Sequence, residues 1–230
     1  TLCENSPSIE GPPMQHEELI DLYLEKILEA NEKTNLTRIS SLDEARKLHI
    51  EDSLAGLEEL NKAPEGLYGD LGSGGGFPGV PLALESGRKT VLVDSVQKKM
   101  AIVGSVLSEL GIAEQVSTYG GRIEDLAHER PCAFTALTAR ALSKLSVLME
   151  LASPLLVNGG LLICYKANVQ EEEWEHALSL QEKLGMRLYS DRTLTLSDGE
   201  TSRRIITFEK TGRPKLKLPR HVGFAQKKPL

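Results

Sequence analysis

The sequence predicts an α/β fold: a seven-stranded, mostly parallel sheet ending in an antiparallel hairpin, with helices added at the N-terminus. Three observations carry this. After residue 66, short apolar runs alternate with segments of helical periodicity. The runs are too apolar for a sheet with one wet face, so they suit parallel strands covered by helices on both sides. The last two runs have no helix between them and must pair antiparallel.

The elements follow in order. In the first 60 or so residues, Ile20, Tyr23, Leu24, Ile27 and Leu28 form a stripe at helical spacing. Asn35-Leu36-Thr37 breaks it. Ser41 or Asp43 caps a second helix carrying Leu42, Ala45, Leu48 and His49, and further turns run through Leu54 and Leu57 to Pro64. Strands are predicted at 67–71, 90–94, 115–119, 134–138, 161–165, 187–195 and 204–209. Helices are predicted at 80–84, 97–110, 143–151 and 171–184, with Gly111 and Gly185 closing two of them. Ser197-Asp198-Gly199 supplies the turn of the final hairpin. The expected division is 1–64 as a helical extension packed on the core, 65–212 as the binding core, and 213–230 as a basic tail.

Composition narrows the class. The chain of 230 residues is 40% hydrophobic and 26% charged, which suits one globular unit. With aromatics at 4%, a platform of exposed stacking rings is disfavoured. No apolar run reaches membrane length, and residues 1–13 lack the pattern of a signal peptide. Cys3, Cys132 and Cys164 are too scattered for a metal knuckle or a disulfide framework. The expectation is a cytoplasmic monomer with no membrane partner and no metal. The net charge of −6 is uneven: residues 201–230 hold nine Lys or Arg against one acid, Glu209. A basic end on an acidic body points to a polyanionic partner.

The chemistry centres on Asp70-Leu71-Gly72-Ser73-Gly74-Gly75-Gly76-Phe77-Pro78-Gly79, between the first strand and the next helix. Glycines let the backbone turn tightly and approach a ligand. Gly74-x-Gly76-x-x-Gly79 fits a dinucleotide fingerprint, and Asp94 lies 20 residues after Gly74, where a ribose diol is bound. The other register, Asp70-x-Gly72-x-Gly74-x-Gly76, suits S-adenosylmethionine (SAM). Asp70 favours SAM's cationic groups and opposes a pyrophosphate. The terminal hairpin and the lack of a Tyr-x-x-x-Lys pair also favour SAM over NAD. The expected cofactor residues from the loop and second strand are Asp70, Gly72, Ser73, Gly74, Phe77 and Asp94, in a Rossmann-like methyltransferase fold.

The target atom is narrowed by what is missing. No Asn/Asp-Pro-Pro-aromatic run follows the fourth strand, which disfavours exocyclic amino groups. Pro131-Cys132 precedes that strand, so Cys132 is read as a buried cysteine and not a nucleophile. Trp174 and His49 are read as packing residues.

The chain resembles the RsmG (GidB) family of bacterial ribosomal RNA methyltransferases over nearly its whole length. The resemblance rests on Asn35-Leu36-Thr37, Leu48-His49-Ile50-Glu51-Asp52-Ser53, the loop from Asp70 to Gly79 with Pro81, Arg122-Ile123-Glu124-Asp125, Ala139-Arg140-Ala141, Lys217-Leu218-Pro219-Arg220 and Lys227-Lys228-Pro229-Leu230. Ile123, Leu142 and Leu218 depart from the residues common there. The resemblance implies SAM-dependent methylation of guanine N7 in 16S ribosomal RNA or the small subunit. It puts Gly72 and Phe77 on SAM, Ile123 and Glu124 on its adenine side, and Arg140 where cofactor and RNA meet. It makes Arg203 an active-site or RNA arginine, while the charge asymmetry between the C-terminal segment and the body makes Lys217, Arg220, Lys227 and Lys228 expected RNA contacts. A SAM- or nucleotide-binding regulator without transferase activity is the alternative, and an NAD-dependent oxidoreductase the more distant one.

Overall fold

A computed structural model describes residues 15–34 and 50–230 of the chain. Asn35-Leu36-Thr37, the helix expected from Ser41 or Asp43, and His49 lie outside the described residues.

Helix α1 (His16–Thr34) opens with Glu17 and Glu18 at its positive end. It buries Ile20, Tyr23, Leu24 and Ile27, the predicted stripe. Two short helices, α2 (Asp52–Leu54) and α3 (Leu57–Lys62), lead into the sheet. The sheet alternates with helices: β1 (Tyr68–Leu71), α4 (Gly79–Ser86), β2 (Thr90–Asp94), α5 (Gln97–Glu109), β3 (Val116–Gly120), α6 (Ile123–Glu129), β4 (Phe134–Arg140), α7 (Leu145–Ala152) and β5 (Leu156–Lys166). Helices α8 (Glu171–Ser179) and α9 (Gln181–Leu184) precede β6 (Met186–Thr195) and β7 (Ser202–Lys210), and one turn, α10 (Phe224–Lys227), lies near the C-terminus.

The seven strands run in the order β3-β2-β1-β4-β5-β7-β6. The first five are parallel to their neighbours, while β7 pairs antiparallel with both β5 and β6. The hairpin is expected from sequence; its order has a physical cause. Ile205, Ile206, Thr207 and Phe208 are all buried in β7, so it needs cover on both faces and a neighbour on each side. Strand β6 alternates partly exposed and exposed residues and tolerates the edge. Helix α6 was not expected from the sequence, and the predicted 171–184 helix is broken at Leu180.

Strand residues alternate between the two faces. Leu71, Val91, Val93 and Leu137 join Leu126, Leu148 and Met149 beneath α6 and α7. Leu92 packs with Tyr23, Leu24, Phe77, Val80 and Val103 beneath α1, α4 and α5. Tyr68, Ala136, Ile163 and Tyr165 pack with Leu60 and Leu82. Each fully buried leucine stabilises the fold by roughly 1.5–3 kcal/mol relative to exposure. Contrary to expectation, Cys132 is exposed: it sits at the tight entry to β4 with φ 51°, ahead of the buried run. The strand order reverses between β1 and β4, so a crevice opens at their carboxyl ends.

Candidate functional site

The glycine loop leaves β1 at that crevice. The amides of Gly72 and Ser73 both donate to the Val93 carbonyl, at 2.8 and 3.0 Å, tying the loop to β2. Gly76 has φ 89°, and a Cβ there would lie 2.1 Å from the Tyr23 hydroxyl. That hydroxyl donates to the Gly75 carbonyl at 2.8 Å, so α1 braces the loop from outside. Gly79 opens α4 against Asp70, whose Oδ2 accepts its amide at 3.0 Å.

Asp70 is fully buried. Its Oδ1 accepts from Thr138 Oγ1 at 2.7 Å, and Thr138 shares a 2.6 Å hydrogen bond with the Tyr68 hydroxyl. Burial pushes the Asp70 carboxyl up to about 6, against the pull of Thr138, Arg140 and the Gly79 amide. Asp70 therefore shapes the loop from beneath, through Gly79. Asp94 ends β2; its Oδ2 accepts from the Gly74 amide at 3.1 Å and its Oδ1 from the Val96 amide at 2.9 Å.

A cavity of about 80 Å³ lies between the loop, β2 and α6, and its lining includes Gly72, Asp94, Ile123, Glu124, Leu142 and Gln226. Four of the predicted cofactor residues, Gly72, Asp94, Ile123 and Glu124, thus share one cavity. Ser73 and Phe77 are buried outside its lining: Ser73 Oγ points to the Met100 sulfur at 3.9 Å, and Phe77 packs on Tyr23 with ring centroids 5.6 Å apart. Gly74 holds the loop to Asp94.

The two predicted arginines meet a short way along the same edge. Arg140 ends β4, and its Nη1 donates to Asp52 Oδ2 at 3.1 Å. Arg203, on β7, donates from Nε to Asp52 Oδ1 at 2.9 Å. Asp52 is 3% exposed, and the Tyr165 hydroxyl fixes its neighbourhood by donating to the Ser53 carbonyl at 2.6 Å.

Comparison with known proteins decides the lineage. Residues 16–199 match the family described as rRNA small subunit methyltransferase G, or GidB. A ribosomal RNA small subunit methyltransferase G from Desulfitobacterium hafniense is 35% identical over 217 residues, covering 93% of this chain and 89% of that protein. One from Lactobacillus acidophilus is 34% identical over 215 residues, covering 91% and 89%. Among solved structures, a geranyl diphosphate methyltransferase in complex with SAM superposes with a TM-score of 0.56 at 15% identity, covering 69% of this chain and 84% of its own. That likeness establishes the fold.

The chain belongs to the rRNA small subunit methyltransferase G family. Membership favours the methyltransferase reading over both the NAD alternative and the regulator without transferase activity.

In this family member the basic C-terminal segment is packed along the domain. Arg220 makes a two-pronged contact with the buried Glu150, at 2.7 and 2.6 Å. Lys215 pairs with Glu182, and the Leu230 carbonyl lies 2.8 Å from His176 Nε2. Lys217, Lys227 and Lys228 are exposed, with Lys228 Nζ 5.2 Å from the Phe224 ring. Arg204 pairs with Asp191 and stacks 4.5 Å over Trp174, which packs on the core.

Sequence reasoning gave no role to three residues here. Asp52 stood inside a quoted motif, but its partners lie 88 and 151 positions away. Tyr23 looked like one more apolar residue of the α1 stripe. Gln226 carried no signal at all.

Proposed function

We propose that this chain transfers a methyl group from SAM to N7 of a guanine in 16S ribosomal RNA, as naked RNA or within the small subunit. Asp94 is suited to the ribose hydroxyls, with Gly72, Ile123 and Glu124 around the adenosyl group. Ser73, Gly74 and Phe77 shape the loop that receives it, and Asp70 holds that loop in register. When bound, SAM supplies an electrophilic methyl group.

The observation that carries the reading is the engagement of the acids at this edge. Asp52 accepts from two guanidinium groups, Asp70 from Gly79 and Thr138, and Asp94 from two backbone amides. Each serves as a brace, which suits an attacking atom that needs no base. Guanine N7 has an in-plane lone pair and gives up no proton before attack. The work left to the protein is positioning and electrostatics.

The methylated base is cationic, so bare guanidinium charge beside N7 would raise the barrier. Asp52 offsets one of the two arginine charges, leaving Arg140 and Arg203 to address phosphate or the O6 edge. On this reading Lys217, Lys227 and Lys228, all exposed, are the tail lysines that meet RNA phosphates. Arg220 belongs to the proposed RNA surface only through whatever face its pairing with Glu150 leaves open. The reading includes a cytoplasmic monomer with no membrane partner; no helix among the described residues is long and apolar enough to cross a membrane.

The test is transfer from methyl-labelled SAM to 16S RNA and to isolated small subunits. Label released with the base as 7-methylguanine is expected. Label on any other atom, or none on either substrate, overturns the proposal.

A further inference from the structure

The cavity at Asp94 is walled on one side by the C-terminal segment. Gly223, at φ 79°, donates its amide to Glu124 Oε1 at 2.7 Å. The turn of α10 then buries Ala225 against Val147 and Leu151 and brings Gln226 into the lining. The segment is anchored on both sides of this point, by Arg220 on Glu150 and by Leu230 at His176. The sequence had placed the tail apart from the cofactor pocket.

Two facts give this wall a role. The cavity measures about 80 Å³, whereas small-molecule sites are typically ~300–1,000 Å³. The cavity opens to solvent on one side, and its enclosed part takes in a whole adenosyl group only if a wall shifts. The loop, β2 and α6 are tied into the buried core by strand pairing and by Leu71, Val93 and Leu126. The α10 turn hangs on one buried alanine and the Glu124 contact. Gln226 is also chemically apt: its exposed carboxamide offers an acceptor and a donor side by side, the complement of the amino group and ring nitrogen of adenine.

We infer that residues 223–227 form a movable wall of the cofactor pocket and that Gln226 reads the adenine of SAM. Glu124, which lines the same cavity, fastens the wall by accepting the Gly223 amide on one carboxylate oxygen. This rests on the SAM reading above.

The experiment is isothermal titration of the full chain with SAM, adenosine and purine riboside, which lacks the 6-amino group. The parent should prefer adenosine over purine riboside by several-fold. Gln226→Ala should weaken SAM and adenosine by about tenfold, as expected for one or two lost hydrogen bonds, and bind the two nucleosides equally. It should raise KM for SAM with kcat little changed. Gln226→Glu keeps an acceptor for the amino group and should retain part of the preference. A melting scan checks that each variant folds. A parent that binds neither SAM nor adenosine overturns the cofactor reading, and this inference with it. A parent that binds, with Gln226→Ala matching it or weakening both nucleosides alike, overturns this inference alone.

Discussion

Arg140 and Arg203 are held on the two oxygens of one buried carboxylate, Asp52, at 3.1 and 2.9 Å. The end of β4 and the start of β7 are thereby locked to α2. Removing Arg140 leaves Asp52 still paired to Arg203, so Arg140→Ala should fold. Turnover should fall at least a hundredfold, about 2.7 kcal/mol of lost transition-state stabilisation. Asp52→Ala removes the carboxylate that the two arginines share, and the double variant with Arg140→Ala should show coupling of about 1–3 kcal/mol. Full activity in Arg140→Ala, or zero coupling, would show that the pairing serves the fold alone.

Tyr23 braces the glycine loop from α1 through its hydrogen bond to the Gly75 carbonyl. Tyr23→Phe removes only that bond and should cost about 1 kcal/mol of stability, with weaker SAM binding. Gly76→Ala should cost more, because its Cβ meets the Tyr23 hydroxyl at 2.1 Å and its φ of 89° strains any side chain. Denaturant unfolding paired with SAM titration checks both, and a Tyr23→Phe protein that binds SAM like the parent would remove Tyr23 from the site.

Asp70 gives a signed pH dependence. Its folded pKa of about 6 lies above the ordinary 3.8. A raised carboxyl pKa means that the folded state holds the proton more tightly. Its contribution to stability is full below about pH 3.8 and is lost as pH rises toward 6, to a total of about 3 kcal/mol. Asp70→Asn does not titrate and can still accept from Gly79 and donate to Thr138. The variant should therefore gain on the parent between pH 4 and 7. Parallel stability curves over that range would show that Asp70 is not a strained carboxylate.

The tail makes a prediction sorted by residue. Replacing the exposed Lys217, Lys227 and Lys228 with Gln should flatten the log–log salt dependence of RNA binding by up to about 2 units, at roughly 0.7 per phosphate contact. Arg220→Gln should instead cost stability, about 1–3 kcal/mol, because Glu150 is left buried without its partner. An unchanged slope in the triple variant would mean that the tail only packs.

Much of this was legible because it is local. The glycine loop, Asp94 and the continuous apolar runs of 90–94 and 161–165 declare themselves within a few residues, through backbone need and apolar patterning. Helix α6 did not: it has seven residues, three of them acidic, and its apolar face is only Ile123, Leu126 and Ala127. The place of β7 inside β6 depends on which strand is more deeply covered, a tertiary fact. Asp52 and Gln226 act across the whole fold, on partners no spacing rule connects. The tail's charge points to a polyanionic partner, but charge alone cannot show that Arg220 is already paired with Glu150.

The central claim is guanine N7 methylation of 16S RNA, and it is tested most directly by mapping 7-methylguanine in that RNA from cells lacking this chain. One guanine should lose its N7 methyl group, regain it when the parent chain is supplied, and stay unmethylated with Arg140→Ala. Persistence of every 7-methylguanine in the deleted strain would contradict the account.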